Sequence, residues 1–89
     1  MLRPLKHKAH ADFWARYRLL PARERALADK NFALLKANPR HGSLQLKKVG
    51  VDLYSARVGL ELRALAFDLG DHLVWFWIGP HDEYERLIS

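Results

Sequence analysis

Cysteine is absent from this 89-residue chain, so neither a disulfide nor a cysteine-based zinc site can form. No apolar run approaches the roughly 20 residues that cross a bilayer, and the first eight residues are too polar for a secretory signal. Neither an H-x-x-x-H pair nor an acidic cluster indicates a bound metal. These absences predict a cytoplasmic protein that needs no membrane, metal or cofactor.

Acidic residues are also scarce relative to basic ones. The chain has ten Asp and Glu residues and fifteen Lys and Arg residues, which gives a net charge of +5. This charge suggests an anionic partner, either nucleic acid or an acidic protein segment. Hydrophobic residues make up 49% of the chain, enough for one small core. Residues 1–89 are therefore predicted to form a single domain.

The N-terminal half carries helical patterns. Residues 1–10 are basic and predict an irregular arm or a short edge strand. Asp12 is a suitable N-cap for a helix over 13–20, which Pro21 ends or follows with a new helix. The apolar stripe over 22–37 predicts a second helix that stops at Asn38-Pro39.

The C-terminal half is strand-like. Short turns predict antiparallel hairpins, and a last helix begins near Pro80. The expected fold class is α+β, with two N-terminal helices packed on a three- to four-stranded antiparallel sheet and a short C-terminal helix. The predicted strands are 44–49, 53–58, 62–68 and 72–78.

The last predicted strand is apolar on both alternating faces, which is typical of a strand covered on both sides. Strict alternation places Trp75 and Trp77 on one face and Val74, Phe76 and Ile78 on the other. The two tryptophans either stack on bases, pack in the core or form a protein-binding surface. We expect a partner to cover apolar or basic surface that the helices leave open. The predicted core residues are Phe32, Leu35, Val74, Phe76 and Ile78.

Arg57 and Arg63 flank a tight turn. A three-residue turn places them opposite each other on one face, where they form a fork for a phosphate, and a two-residue turn places them on opposite faces. The alternatives are two solvated arginines, or one arginine paired with Glu61. Lys47 and Lys48 are adjacent, so only one of them can share that face.

His81 and Tyr84 follow the last strand and lie on one face of the predicted helix. Imidazole titrates near neutral pH and suits acid–base chemistry, while a helix N-terminus attracts anions. The alternative is that Tyr84 packs on the sheet and His81 merely begins the helix.

Five segments have a distinctive order and spacing: Asn38-Pro39, Leu44 to Lys48, Tyr54 to Gly59, Leu62 to Leu65 and Trp77 to Tyr84. Together with the two helices before them, and over about residues 11–88, they resemble the RelE/ParE superfamily of bacterial type II toxins. The resemblance implies a ribosome-dependent mRNA endonuclease that an antitoxin neutralises. By position, Lys47 or Lys48 and Arg57 resemble residues that hold the mRNA backbone, and Arg63 resembles the arginine at the scissile phosphate. His81 stands where members carry arginine or histidine, and Tyr84 resembles their C-terminal tyrosine.

Two other functions remain compatible with this resemblance. One branch of the superfamily binds DNA gyrase and does not cleave RNA. A degenerate member would serve mainly as an antitoxin-bound, operator-binding partner. A shared surface for Arg57, Arg63, His81 and Tyr84 favours the endonuclease over both.

Overall fold

The computed structural model describes residues 6–89, and within that range the chain forms five strands and three helices. This architecture confirms the predicted α+β class and both N-terminal helices. A 3-10 turn, Gly42–Leu44, precedes the second strand. In chain order the elements are β1 Lys6–Ala9, α1 Ala11–Arg18, α2 Ala22–Ala37, β2 Lys47–Gly50, β3 Leu53–Val58, β4 Leu62–Asp68, β5 His72–Pro80 and α3 His81–Ile88.

The strands form one mixed sheet in the order β1-β5-β4-β3-β2. Strands β2 to β5 are antiparallel neighbours, as the short turns predict, while β1 pairs in parallel with the first half of β5. The edge-strand alternative for residues 1–10 is therefore correct for Lys6–Ala9, and its part over residues 1–5 lies outside the described residues. The sheet has one more strand than the largest number predicted.

The boundaries of three elements differ from the prediction, and one of these is β5, which extends to Pro80 and not only to residue 78. Helix α1 begins earlier, because His10 and not Asp12 is its N-cap: His10 Nδ1 accepts a hydrogen bond of 3.0 Å from the Asp12 N–H. Strand β2 begins later than residue 44, because the 3-10 turn ends at Gln45 in the left-handed conformation, with φ of 44°. Helix α2 matches its predicted range.

Helices α1 and α2 cover one face of the sheet, where the main core lies. Ala56, Ala64 and Ala66 on β3 and β4 have small side chains on this face, so the helices can pack close to the sheet. Within the described residues, no helix is long and apolar enough to cross a membrane. The buried members of this core are Leu20, Ala28, Leu35, Leu44, Ala56, Val58, Leu62, Ala64, Ala66, Leu73, Trp75 and Ile78.

A smaller core lies on the opposite face beneath α3. Leu65, Trp77 and Tyr84 are buried there, and Phe76 and Ile88 pack against them. The short C-terminal helix is thus an integral layer of the fold, since without it the Trp77 side chain would be exposed.

A β-bulge in β5 overturns the strict alternation predicted for this strand. Ala66 faces Trp75 and the preceding Leu65 faces Trp77, so Phe76 is an extra residue in β5. Trp75 and Ile78 therefore share the main core, while Trp77 lies on the other face.

The predicted core is right in part. Leu35 and Ile78 are buried, but Phe32, Val74 and Phe76 are only half-buried. Phe76 stacks on the exposed Phe67 ring, with centroids 4.2 Å apart, so it lies at the edge of the smaller core. The main core takes the Leu73 and Trp75 face of β5, and the bulge brings Ile78 to that face while Val74 and Phe76 stay on the other. Sequence periodicity contains no sign of the inserted residue.

We predict that Leu73→Ala destabilises the protein far more than the adjacent Val74→Ala. Leu73 has 0% exposure, and truncating a buried leucine costs about 2–5 kcal/mol. Val74 is half-buried on the other face, so its truncation costs about 1 kcal/mol. Urea denaturation of the two variants measures both losses, and equal losses would contradict the face assignment.

We also predict an acid-sensitive component of stability at His7. The Trp75 Nε1–H donates to His7 Nδ1 over 3.2 Å, which requires that nitrogen to be unprotonated. Burial, followed by the positive charge of Lys36, lowers the pKa of His7 below its ordinary 6.5. The unfolded chain therefore binds this proton first as the pH falls, and stability is lost below about pH 6.5.

His7→Gln removes this titration, and the wild type measured at the same pH values is the comparison. Urea denaturation between about pH 7.5 and pH 5.5 should show a smaller loss of stability in the variant than in the wild type. An equal loss in both proteins would exclude His7 as the source.

Candidate functional site

The turn between β3 and β4 determines where the two candidate arginines lie. Val58 faces Leu62 across the hairpin, so the turn contains three residues, 59–61, and Arg57 lies directly opposite Arg63. Cross-strand partners have Cβ atoms about 5 Å apart on the same face. The structure thus adopts the three-residue alternative, which brings both guanidinium groups to one side of the sheet.

Carbonyl groups of the turn hold both guanidinium groups. Arg57 Nε donates to the Gly59 carbonyl over 3.1 Å, and Arg63 Nη1 donates to the Leu62 and Gly59 carbonyls over 2.8 and 3.4 Å. Within residues 6–89 neither arginine forms an ion pair, so the pairing with Glu61 does not occur. The remaining N–H groups are left to bind an anion.

Gly59 allows this turn to form against α2. Its φ of +68° lies in the left-handed region, which favours glycine. A Cβ atom on Gly59 would lie 2.4 Å from Leu27 Cδ2 of α2. Helix α2 therefore supports the turn from one side, while the arginines project from the adjoining strands.

Helix α3 begins beside the same turn. The backbone N–H of His81, the first helical residue, donates to the Glu61 carbonyl over 2.9 Å. The His81 side chain is 41% exposed, and its Nε2 lies 2.8 Å from Oε1 of Glu85 one helical turn later. The strand-to-helix junction thus places an imidazole next to the two arginines.

Tyr84 is buried in the floor of this site. It is 3% exposed, and its hydroxyl donates to Ser55 Oγ over 3.1 Å. Its ring lies beside the His81 ring, with centroids 6.0 Å apart and an interplanar angle of 25°. A ring buried to this extent cannot stack on a base, so Tyr84 supports its neighbours in the groove.

These side chains line one groove of about 230 Å³, which we call the basic groove. It contains three permanent positive charges, one imidazole and one carboxylate. Within residues 6–89, no group of three His, Cys, Asp or Glu side chains could hold a metal ion. The lining residues are Gln45, Lys47, Val49, Ser55, Arg57, Arg63, His81, Tyr84, Glu85 and Ile88.

The basic groove contains five of the six side chains proposed from the sequence. Lys47 faces Ser55 across the β2–β3 hairpin and lies in the groove, together with Arg57, Arg63, His81 and Tyr84. Lys48 faces Tyr54 instead and is absent from the lining residues, because adjacent strand residues point to opposite faces.

Three polar lining residues escaped the sequence analysis. Ser55 precedes Arg57 by two positions in a strand, and Glu85 follows His81 by four in a helix, so both spacings were signals that could have been used. Gln45 gives no such signal, since its position depends on the left-handed backbone that ends the 3-10 turn.

Trp77 anchors α3 from below and takes no part in the groove surface. The guanidinium of Arg16 lies 5.4 Å from its ring centroid and also pairs with Glu83 over 3.6 Å, joining α1 to α3. Trp77 and Trp75 are 4% and 2% exposed, so neither can stack on a base. Trp77 Nε1 is buried and finds no hydrogen-bond partner among the described residues.

Known structures share this fold. No family model and no curated protein matches the sequence. A chain of the RelE–RelB complex from Pyrococcus horikoshii OT3 is 19% identical, with a TM-score of 0.66 over 88% of this chain and 96% of that one. A chain of the Methanococcus jannaschii RelB–RelE complex is 15% identical, with a TM-score of 0.69 over 92% and 99%.

YafQ from Escherichia coli strain BL21(DE3) is 13% identical, with a TM-score of 0.70 over 90% of this chain and 97% of that one. The chain therefore has the fold of the RelE-like toxins, as the resemblance of its sequence segments predicted. At these identities the likeness concerns the fold alone.

We predict that Gly79→Ala disturbs the packing below the groove. A Cβ atom on Gly79 would lie 2.6 Å from the Trp77 ring, which must then move, at a cost of about 1–3 kcal/mol. Gly42→Ala is the control, because nothing lies within 4 Å of its added Cβ atom. Urea denaturation monitored by tryptophan emission should show a loss for Gly79→Ala alone, and equal losses would contradict the close contact.

Proposed function

We propose that this protein is the toxin of a type II toxin–antitoxin system and cleaves mRNA on the ribosome without a metal ion. The observation that carries this proposal is the convergence of Lys47, Arg57 and Arg63 around His81 in one groove. Permanent cations bind phosphate, and an imidazole moves protons near neutral pH. The fold shared with RelE-like toxins supports the proposal.

The groove contains the groups that RNA cleavage through the 2′-hydroxyl requires. The 2′-oxygen attacks the adjacent phosphorus, the negative charge grows in the transition state, and the 5′-oxygen leaves with a proton. Arg63 and Arg57 are set to stabilise the growing charge, because the turn carbonyls hold both guanidinium groups before substrate arrives. His81 is the group in the groove that suits proton transfer.

Lys47 and Tyr84 have supporting roles in this proposal. Lys47 extends the line of positive charge along β2 and binds the mRNA backbone. Lys48 lies outside the groove, so we assign that contact to Lys47. The Tyr84 hydroxyl, bound to Ser55, orients the groove floor and keeps α3 against the sheet.

The dependence on the ribosome follows from the shape of the groove. A cavity of about 230 Å³ that is open to solvent makes few contacts with a flexible RNA strand. Alignment of the 2′-oxygen with the scissile bond must then come largely from another macromolecule that holds the mRNA. A ribosome with mRNA in its decoding site supplies that alignment.

An acidic, amphipathic antitoxin is the second partner that we propose. The protein carries a net charge of +5 and exposes large apolar side chains such as Leu60, Phe67 and Leu87, which a partner can cover. The Methanococcus jannaschii structure is an antitoxin–toxin complex, which supports this expectation. Operator DNA is a further partner of the complex that the basic charge would favour.

The test adds purified protein to ribosomes programmed with a defined mRNA and maps the cleaved ends. Attack by the 2′-oxygen leaves a 2′,3′-cyclic phosphate on the upstream fragment and a 5′-hydroxyl on the downstream one. We predict that Arg63→Ala lowers the cleavage rate about 100-fold, comparable to the loss of other donors to a developing oxyanion. Lys47→Ala should also lower the rate.

Lys48→Ala is the matched control for Lys47→Ala, because the two lysines are adjacent and exposed but only Lys47 lines the groove. Equal effects of these two variants, or full activity of Arg63→Ala, would contradict the site. A wild-type protein that leaves mRNA intact but inhibits DNA gyrase would replace the endonuclease with the gyrase-binding alternative.

A further inference from the structure

Among the residues that line the basic groove, Glu85 is the one carboxylate. Its Oε1 lies 2.8 Å from His81 Nε2, and its side chain is 58% exposed. A negative charge in a groove that binds phosphate weakens that binding, because like charges repel. A glutamate at this position therefore needs a role that compensates for the repulsion.

The contact with Glu85 fixes the hydrogen on one nitrogen of the His81 ring. An ionised carboxylate only accepts hydrogen bonds, so Nε2 of His81 carries the hydrogen that Glu85 accepts. Nδ1 is then the nitrogen that exchanges a proton with a substrate. A carboxylate that holds one imidazole nitrogen while the other transfers the proton is the arrangement of the serine protease triad.

Glu85 also balances charge in the groove. Lys47, Arg57 and Arg63 repel a protonated imidazole, whereas the Glu85 carboxylate attracts it. We propose that Glu85 is a positioning residue that holds protonated His81 as the donor to the leaving 5′-oxygen. This inference rests on the proposed endonuclease function and adds to it the group that prepares His81.

The 2′-hydroxyl gives its proton to a solvent water, and a bond forms between the 2′-oxygen and phosphorus. The bond between phosphorus and the 5′-oxygen breaks, and that oxygen takes the proton from His81 Nδ1. His81 is left neutral with its Nε2–H still bound to Glu85, and it regains the Nδ1 proton from water.

The neighbouring Glu83 provides a matched control. It lies on the same helix and also forms an ion pair, but its partner is Arg16 and it does not line the basic groove. If Glu85 merely stabilised α3 through a surface ion pair, its replacement would resemble that of Glu83. Glu85→Gln and Glu83→Gln keep the size of the side chain and remove only its charge.

The experiment compares two mRNA substrates on the ribosome under single-turnover conditions. One is unmodified, and the other carries sulfur in place of the leaving 5′-oxygen at the cleaved linkage. A thiolate leaves readily without a proton, so the sulfur substrate does not need a general acid. Circular dichroism and thermal unfolding first establish that each variant is folded.

We expect Glu85→Gln to cleave the unmodified substrate about 10- to 100-fold more slowly than the wild type, within the range that acid–base catalysis contributes. On the sulfur substrate it should approach the wild-type rate. Arg63→Ala should be slow on both substrates, because both develop charge on the phosphate. Glu83→Gln should match the wild type on both.

The other possible outcomes distinguish an incorrect role for Glu85 from an incorrect endonuclease function. If the wild type cleaves but Glu85→Gln is equally active, or equally slow on both substrates, the role of Glu85 is overturned while the endonuclease proposal stands. Glu85→Asp provides a second check, because its shorter side chain should retain only part of the activity on the unmodified substrate. A wild type that cleaves neither substrate overturns the endonuclease function and, with it, the role of Glu85.

Discussion

The three-residue turn at 59–61 is the constraint on which the rest of the groove depends. Its length sets the register that places Arg57 and Arg63 opposite each other. With one residue fewer in the turn, one of the two arginines would lie on the face that α1 and α2 cover. Its carbonyl groups accept hydrogen bonds from both guanidinium groups and from the His81 backbone. Gly59 makes this possible by combining a positive φ with close contact to α2.

The second face of the sheet depends on the short helix α3. The bulge at Phe76 turns Trp77 toward this face, where the helix covers it, and the bond from Tyr84 to Ser55 fixes the helix to β3. The Arg16 contacts join the same helix to α1. A helix of eight residues is marginal by itself, so its position, and that of His81 and Glu85 upon it, depends on the buried packing of Tyr84 against Trp77 and on the hydrogen bond from Tyr84 to Ser55.

The charges in the groove are arranged for a ligand more than for the stability of the fold. Arg57 and Arg63 lie directly opposite each other, and like charges in that position repel. Neither has a carboxylate partner among residues 6–89, although hydrogen bonds to backbone carbonyls hold their orientation. Such a pair gains its full stabilisation when a phosphate enters the groove.

The sequence by itself determined the class of fold, the range of α2 and the antiparallel hairpins, whereas the candidate site residues were named through the family resemblance. These features depend on local periodicity, on short turns and on Asn38-Pro39, which a single chain shows directly. The tertiary structure decided what those patterns leave open: the parallel pairing of β1, the exchange of faces at Phe76, the choice of Lys47 over Lys48 and the burial of Tyr84. It also brought Gln45, Ser55 and Glu85 to the groove. Each of these depends on contacts between segments far apart in the chain, or on one inserted residue that shifts a register, and neither leaves a periodic trace in the sequence.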